Sequence, residues 1–542
     1  MSKIASYLSG HLAGEVSTRS DVREAISTDL GILKLKPDMV IYPRNTNDIR
    51  KVCRFAWQLA EKGHTLPVTV RGAGTDSTGA ALGKGAAVVM TAHMNRIFEY
   101  EPKQKLVRLQ PGVAVGALQQ SLALHGTSIM PLVGSHAFGT VGGAVANAVA
   151  GLMAGKYGTV DKAVDQLEVV LASGDVIQTG RINKRELSRR KGMQGFVGDI
   201  YRGIDAIIEE NTDLLDTLRA NDATGYNTIA DVKQKDGSFD LTPLFIGSQG
   251  TLGIITEMIM RGEFRSLHMG VAAMVFASSN TARDALDELC SMTPAFVEYF
   301  DAELFETAAK CGRQYEFYKR ALDEIKAPAS VVIVGFDEFS DRVRAKRLKK
   351  VVKTFAKYED VVFSTADGDE AQDMLAALDV TYYTALPGEQ SEGAPGIFTG
   401  FHVPTERLED FAKSVDLLAQ KHHIALPLAG HVYTNTYGVY PTFDLHKVGD
   451  KQTVLKLLDA LTQTVYSHGG TMVAEGGEGR LKSRFIYNQL DARIVKLYQE
   501  VRKVCDPHGY MNSGVKESIE LRHLAEMIRD SHDAGQFARF GL

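Results

Sequence analysis

The stretch Val68–Gly85, VTVRGAGTDSTGAALGKG, sets a glycine-rich segment directly after a short β-branched run. Glycine lacks Cβ and reaches φ > 0, so such a segment can turn successive backbone N–H groups toward an anion. The chemistry it suggests is phosphate binding. A P-loop needs GxxxxGK followed by Ser or Thr to hold magnesium; here Gly83-Lys84 is followed by Gly85. A dinucleotide fingerprint needs GxGxxG opening a helix. Gly72-Ala73-Gly74 begins that pattern, but Ser77 stands in place of the third glycine and the next strong element is a strand. What remains is a non-helical loop whose amides line a diphosphate. A second glycine-rich stretch, PLVGSHAFGTVGGAVANAVAG (Pro131–Gly151), offers another such turn.

These loops need elements to carry them. Residues 37–72 read strand, helix, strand, with Asn47 or Asp48 as helix cap and Ile49, Val52, Phe55 and Ala56 as its apolar face. AAVVMTAHM and KLVRLQPGV follow as strands, VGALQQSLALHG as a helix ended by Gly126, and DQLEVVLASGDVIQTG as a hairpin turning at Ser173-Gly174-Asp175. From about residue 266 strands alternate with helices three times over, the pattern of a second domain with helices on one face of an antiparallel sheet.

The chain has 542 residues, enough for two or three domains, and a formal net charge of −5, which argues against a nucleic-acid partner. No apolar run reaches the roughly 18–20 residues of a membrane helix, and the first residues lack a charged head followed by an apolar block. Cys53, Cys290, Cys311 and Cys505 are widely spaced, as expected of reduced thiols. A cytoplasmic protein is expected. The basic run RINKRELSRRKG (Arg181–Gly192) leaves peripheral contact with an anionic surface open, although a solvated helix is the simpler reading.

Several ordered motifs carry a resemblance. RGxGT at Arg71, GTVGGxxAN at Gly139, YGxxDxxVxxLEVVLAxGxVI from Tyr157, TGYN at Thr224, LFxGSxGTLGIITE from Leu244 and CDPHGYMNSGVK (Cys505–Lys516) together resemble the FAD domain of the vanillyl-alcohol oxidase / p-cresol methylhydroxylase family. The resemblance implies an α+β protein with a two-subdomain FAD-binding domain of the p-cresol methylhydroxylase type over 1–265 (core about 36–262). A cap domain, an antiparallel sheet covered by helices, follows over 266–500, and a segment over 501–542 returns to the FAD domain. It implies that Arg71, Gly72, Ala73, Gly74, Thr75, Asp76 and Gly79 bind the FAD pyrophosphate from one side. Pro131, Gly134, Ser135, Thr140, Gly142 and Gly143 would line the other. Asn147, Tyr157 and Gly158 would lie near the flavin, Gly253, Ile254 and Ile255 at the adenine half, and Asn512 at the flavin or ribityl end. Some members link FAD covalently through a histidine in the first loop; this chain has Thr75 and Asp76 there, so non-covalent FAD is expected.

The second half resembles the D-lactate (D-2-hydroxy-acid) dehydrogenase branch. AGHVYTNTYGVYPTFDL (Ala429–Leu445) is similar to its GHxGDGNxHxxPxxDL, and GGTMVAEGGEGRLKSRF (Gly469–Phe485) to its GGTxxGEHGxGxxKxxx. In that branch two histidines and a glutamate hold a divalent metal, and the histidine after the glutamate is the base. His431 and Glu475 match two metal ligands; Gly438 and Gly476 stand where the other ligand and the base would be. The expected catalytic set is therefore His431, Glu475, Lys482 and Tyr433, with His431 and Glu475 as a reduced metal pair. His422, His423, Tyr437, Tyr440 and His446 lie nearby in sequence, and Arg480 and Arg484 are further candidates to meet a substrate carboxylate. The implied activity is FAD-dependent oxidation of D-lactate or another D-2-hydroxy acid, with electrons passed to an acceptor that the sequence does not identify. The alternatives are a metal-independent alcohol, polyol or sugar oxidase or dehydrogenase, and an FAD-binding protein with little turnover.

Overall fold

A computed structural model describes residues 2–133, 137–218, 222–266, 268–385 and 393–530. The first unit is a four-stranded sheet in the order Glu15–Ser17, Met39–Tyr42, Ala86–Val89, Val68–Arg71. Its last three strands are parallel and the first is an antiparallel edge. The helix Thr46–Glu61 makes the crossover and buries Ile49, Val52, Cys53 and Ala56 against the sheet. It begins earlier than its sequence suggests. Asn45 is the cap, accepting from the Asp48 amide at 3.1 Å. Asp48 instead accepts from the amides of Ala13 (2.8 Å) and Gly14 (2.9 Å), tying the N-terminal strand to the helix.

The second unit is a five-stranded antiparallel sheet in the order Ile97–Glu101, Leu106–Leu109, Ile254–Arg261, Val164–Val170, Val176–Gln178. Its last two strands form the hairpin read from the sequence, with Gly174 at φ +82° in the turn. The glycine loops lie where these two sheets meet. This is the two-subdomain arrangement expected.

The third unit is a seven-stranded antiparallel sheet in the order Val361–Asp367, Gly270–Phe276, Ser330–Phe336, Phe296–Asp301, Leu428–His431, Thr436–Val439, Thr399–His402. The helices Ser279–Ser291, Asp341–Phe355, Leu408–His422 and Val448–Ser467 bury their apolar faces in a core shared with this sheet.

After this sheet the chain comes back to the first unit. The Val68 amide donates to the Tyr510 carbonyl at 2.9 Å and the Asn512 amide to the Val68 carbonyl at 2.8 Å. Behind this return, Glu478 and Lys516 form a fully buried ion pair at 2.8 Å. Glu478 also accepts from the Gly225 amide (2.8 Å) and the Tyr487 hydroxyl (3.0 Å). Three motifs far apart in sequence, TGYN, EGGEG and SGVK, thus share one satisfied polar centre.

Helix Lys184–Lys191, the basic run, is capped by Asn183 and answered by acids. Arg189 and Arg190 pair with Glu186, Arg181 with Asp236, and Lys191 with Asp205. Among the described residues no helix is long and apolar enough to cross a membrane.

Candidate active site

The strand Val68–Arg71 delivers the chain into the first glycine loop, and Asp76 shapes it. The Asp76 carboxylate accepts from the amides of Thr78 (3.0 Å) and Ala80 (2.8 Å) and from the Thr78 hydroxyl (3.0 Å). Burial raises its pKa. Asp29 lies beneath, accepting from the amides of Gly31 (2.9 Å) and Gly79 (3.1 Å). Burial, then the neighbouring Asp76 charge, pushes Asp29 up to about 7. Arg71 does not reach into the cleft from this loop. Its guanidinium runs underneath, donating to the Thr28 carbonyl at 2.8 Å, and a Cβ on Gly74 would lie 2.1 Å from its Nη2.

The amides of Ala73, Gly74, Thr75, Asp76 and Ser77 meet no acceptor among the described residues, and these five residues line a cleft that opens to solvent. Such a row of free donors, held open by carboxylates below it, fits a diphosphate. Gly79 spends its amide on Asp29 and supports the loop from outside the cleft.

The facing wall is the short helix Val141–Ala146. Thr140 caps it, accepting from the Gly143 amide at 3.2 Å. The amides of Val141 and Gly142 donate to the carbonyls of Val113 and Pro111, both at 2.9 Å. Thr140, Gly142, Gly143 and Asn147 line the cleft, so this wall contributes shape and close approach more than free donors. Gly253, Ile254 and Ile255 line it as well. Gly134 and Ser135 lie outside the described residues.

Other expected cofactor residues stand back from the cleft. Pro131 is buried, its carbonyl against Gly151. The Tyr157 hydroxyl donates to Asp337 at 2.5 Å, joining Lys156 on the same carboxylate, and Gly158 closes that turn at φ +83°. Asn512 lies behind the loop, donating to the carbonyls of Ala80 (2.9 Å) and Gln249 (2.7 Å). Sequence reasoning missed Gln249, which lines the cleft. Its amide group donates to Asn147 Oδ1 at 2.8 Å and accepts from the Gly479 amide at 2.9 Å, linking the loop wall to the EGGEG turn. The only sequence signal was its place inside the LFxGSxGTLGIITE motif.

The cap sheet closes the far end of the same cleft with Thr399, Gly400 and His431, joined by Glu475, Gly476 and Lys482 from the segment that precedes the helix Ser483–Tyr487. His431 ends its strand, and its Nδ1 lies 2.7 and 2.8 Å from the two carboxylate oxygens of Glu298. Its Nε2 faces Glu475 at 3.8 Å. Burial pulls this imidazole down, but the Glu298 charge and hydrogen bond, with Glu475, lift it to about 9. Glu475 is fixed by the Ala150 amide, which donates to it at 2.9 Å. Lys482 is buried and donates to the Thr399 carbonyl at 2.7 Å. Burial takes its ammonium down to about 8, against the pull of Asp76, Glu478 and Glu475.

Tyr433 faces elsewhere: its hydroxyl donates to the Cys290 carbonyl at 3.0 Å and its ring packs on Gly155. Arg480 is structural, donating to the carbonyls of Ser513 (2.7 Å) and Leu82 (2.8 Å). Arg484 donates to the Ile519 carbonyl. Tyr437 is buried in the core and His446 is exposed beside Asp444.

The metal set suggested by resemblance does not assemble. Among the described residues no three His, Cys, Asp or Glu side chains are grouped to hold an ion. Gly438 lies within the sheet, where a Cβ would come 2.9 Å from Thr399 Cγ2 and 3.1 Å from the Tyr440 hydroxyl. With Nδ1 on Glu298, His431 has Nε2 as its one donor toward an ion. Two donors, His431 and Glu475, fall short of the three or four protein ligands usual for zinc.

Comparison with known proteins agrees with this anatomy. The model for the FAD binding domain matches residues 37–180, and that for the C-terminal domain of FAD linked oxidases matches residues 267–515. A D-2-hydroxyglutarate dehydrogenase of Pseudomonas putida is 24% identical over 510 residues, covering 92% of this chain and 50% of that protein. This chain therefore spans about half the length of those dehydrogenases. The glycolate oxidase subunit GlcD of Bacillus subtilis is 25% identical over 486 residues, 88% of each chain. A D-lactate dehydrogenase of Archaeoglobus fulgidus is 24% identical over 477 residues, 88% of this chain and 90% of that one. Among solved structures, p-cresol methylhydroxylase with substrate bound aligns with a TM-score of 0.69 at 15% identity, covering 96% of this chain and 97% of that one. The 4-ethylphenol oxidase from Gulosibacter chungangensis aligns with 0.68 at 16%, covering 96% and 98%. At these identities the structures speak for the fold.

Proposed function

From a chain that belongs to the FAD-linked oxidases in both of its domains, we infer an oxidoreductase that takes hydride from the carbinol carbon of a small D-2-hydroxy acid. The names of its relatives support the substrate class: D-2-hydroxyglutarate, glycolate and D-lactate enzymes. The observation that carries the reading is one continuous cleft. Free amides of Ala73–Ser77 line one part of it and the His431, Glu475 and Lys482 side chains another.

The first glycine loop and the Thr140–Asn147 wall would hold FAD without a covalent bond, and the flavin would supply the hydride acceptor. The rest falls to this chain's own groups. Below about pH 8 the Lys482 ammonium offers a positive charge to an anionic substrate at that end of the cleft, whereas the charge of the His431 imidazolium is answered by Glu298 and Glu475. Once deprotonated, His431 offers Nε2 to the substrate hydroxyl, and mildly alkaline solution favours that state. Glu475 and the Lys482–Thr399 contact fix the walls around it. The electron acceptor and any peripheral membrane contact have no residue assigned to them.

The test is anaerobic reduction of the purified yellow protein by D-lactate, D-2-hydroxyglutarate and glycolate, with L-lactate as control. Bleaching by at least one of the three is expected. Bleaching by polyols or sugars alone would overturn the hydroxy-acid assignment in favour of an alcohol or sugar enzyme. Gly438 and Gly476, at positions where the branch carries imidazoles, favour that second reading. Bound FAD with no bleaching across the whole panel would point to a protein with little turnover.

A further inference from the structure

The strand Phe296–Asp301 is buried along nearly its whole length. On one face it carries Phe296 and Phe300, both in the apolar cluster beneath the sheet. Glu298 lies between them on that face, and its side chain is 4% exposed. A carboxylate in such a setting costs several kcal/mol unless a partner answers it. Among the described residues one side chain does. His431 is its cross-strand neighbour in register, and both Glu298 oxygens lie within 2.8 Å of Nδ1.

We propose that Glu298 is the positioning residue of the site, fixing the tautomer and aim of His431. The proposal rests on the hydroxy-acid oxidoreductase reading above. A neutral imidazole carries one N–H. With the proton on Nδ1 and directed at Glu298, the lone pair on Nε2 is left for the cleft. Glu475 stands 3.8 Å from that nitrogen, too far to hold a hydrogen bond with it. The alternative tautomer would place a proton on Nε2, the atom that must accept one, and would set the Nδ1 lone pair against a carboxylate. The strand pairing makes the arrangement rigid, because a slip of one residue would turn Glu298 to the opposite face. Glu298 touches no substrate; it acts through His431.

The experiment uses FAD-loaded protein labelled with 15N-histidine. The Nδ1 proton resonance of His431, identified by its loss in His431→Gln, is expected in the wild type and in Glu298→Asp and absent or strongly shifted in Glu298→Gln. With D-lactate, or whichever hydroxy acid bleaches the flavin, Glu298→Gln is expected to lower kcat at least about 100-fold. KM should stay within about threefold and FAD content should be unchanged, and Glu298→Asp should recover part of the rate. An unaltered resonance in Glu298→Gln, a kcat within about threefold of wild type, or loss of FAD from both variants would each overturn the proposal. Should no hydroxy acid reduce the wild type, the functional reading fails by itself, and the resonance still decides whether Glu298 sets the tautomer.

Discussion

A Cβ on Gly72 would stand 2.1 Å from the Thr140 hydroxyl oxygen. Two glycine loops nearly seventy residues apart in sequence therefore touch backbone to side chain, and the cleft that fits a diphosphate lies beside that contact. Thr140 cannot swing away freely, because it caps the Val141–Ala146 helix through the Gly143 amide.

Gly72→Ala is accordingly expected to force the two loops apart. FAD content of the purified protein should fall by at least about tenfold, and loss of the cap should cost about 1 kcal/mol of stability. Adding Thr140→Ala removes the atom that clashes and should restore part of the FAD binding. The ratio of flavin to protein absorbance checks both statements. Wild-type loading in Gly72→Ala would refute them.

The two glycines that replace expected imidazoles differ in what surrounds them. Gly476 has no heavy atom within 4 Å of a Cβ position, but its φ is +77°. Gly476→His should fold, at a cost of about 1–2 kcal/mol for a left-handed backbone. Gly438→His would drive into Thr399 and the Tyr440 hydroxyl and should cost more, about 1–3 kcal/mol from overpacking with further loss from the displaced phenol. Denaturant unfolding of the two single variants gives the order. Greater tolerance at Gly438 would show the pocket behind it to be open.

Lys482 gives stability a pH dependence of definite sign. Its folded pKa, about 8, lies below the ordinary 10.5. Between those values the unfolded chain binds a proton that the folded chain does not, so stability rises with pH across that window. Below about pH 8 both states are protonated and the term is flat. The gain is on the order of 3 kcal/mol. Urea unfolding of wild type and Lys482→Met from pH 7 to 10 should show the wild type gaining on the variant above pH 8. A constant difference would refute the burial of a neutral amine.

The amino-acid sequence by itself determined the parts whose cause is local. Gly74, at φ +80°, marks a turn, and Gly72 and Gly142 mark close approaches, where a Cβ would lie 2.1 Å from the Thr140 hydroxyl and 2.4 Å from Pro111. The apolar periodicity of Ile49, Val52 and Ala56 declares a helix, and the DQLEVVLASGDVIQTG pattern declares a hairpin. The motif order points to FAD before any coordinate is known. It also placed His431, Glu475 and Lys482 together at the cleft, while Tyr433, near His431 in sequence, turned its hydroxyl to the Cys290 carbonyl.

Only the tertiary structure decided the partnerships. Glu298 finds His431 across 133 residues, Asn147 finds Gln249 across 102, and Glu478 finds Lys516 across 38. Each pairing depends on strand register and on how distant segments pack, and neither is written in a residue's neighbours along the chain. The physical reason is one of range. Backbone preference acts over a few residues, whereas a buried charge is answered by whatever the completed fold brings within about 3 Å of it.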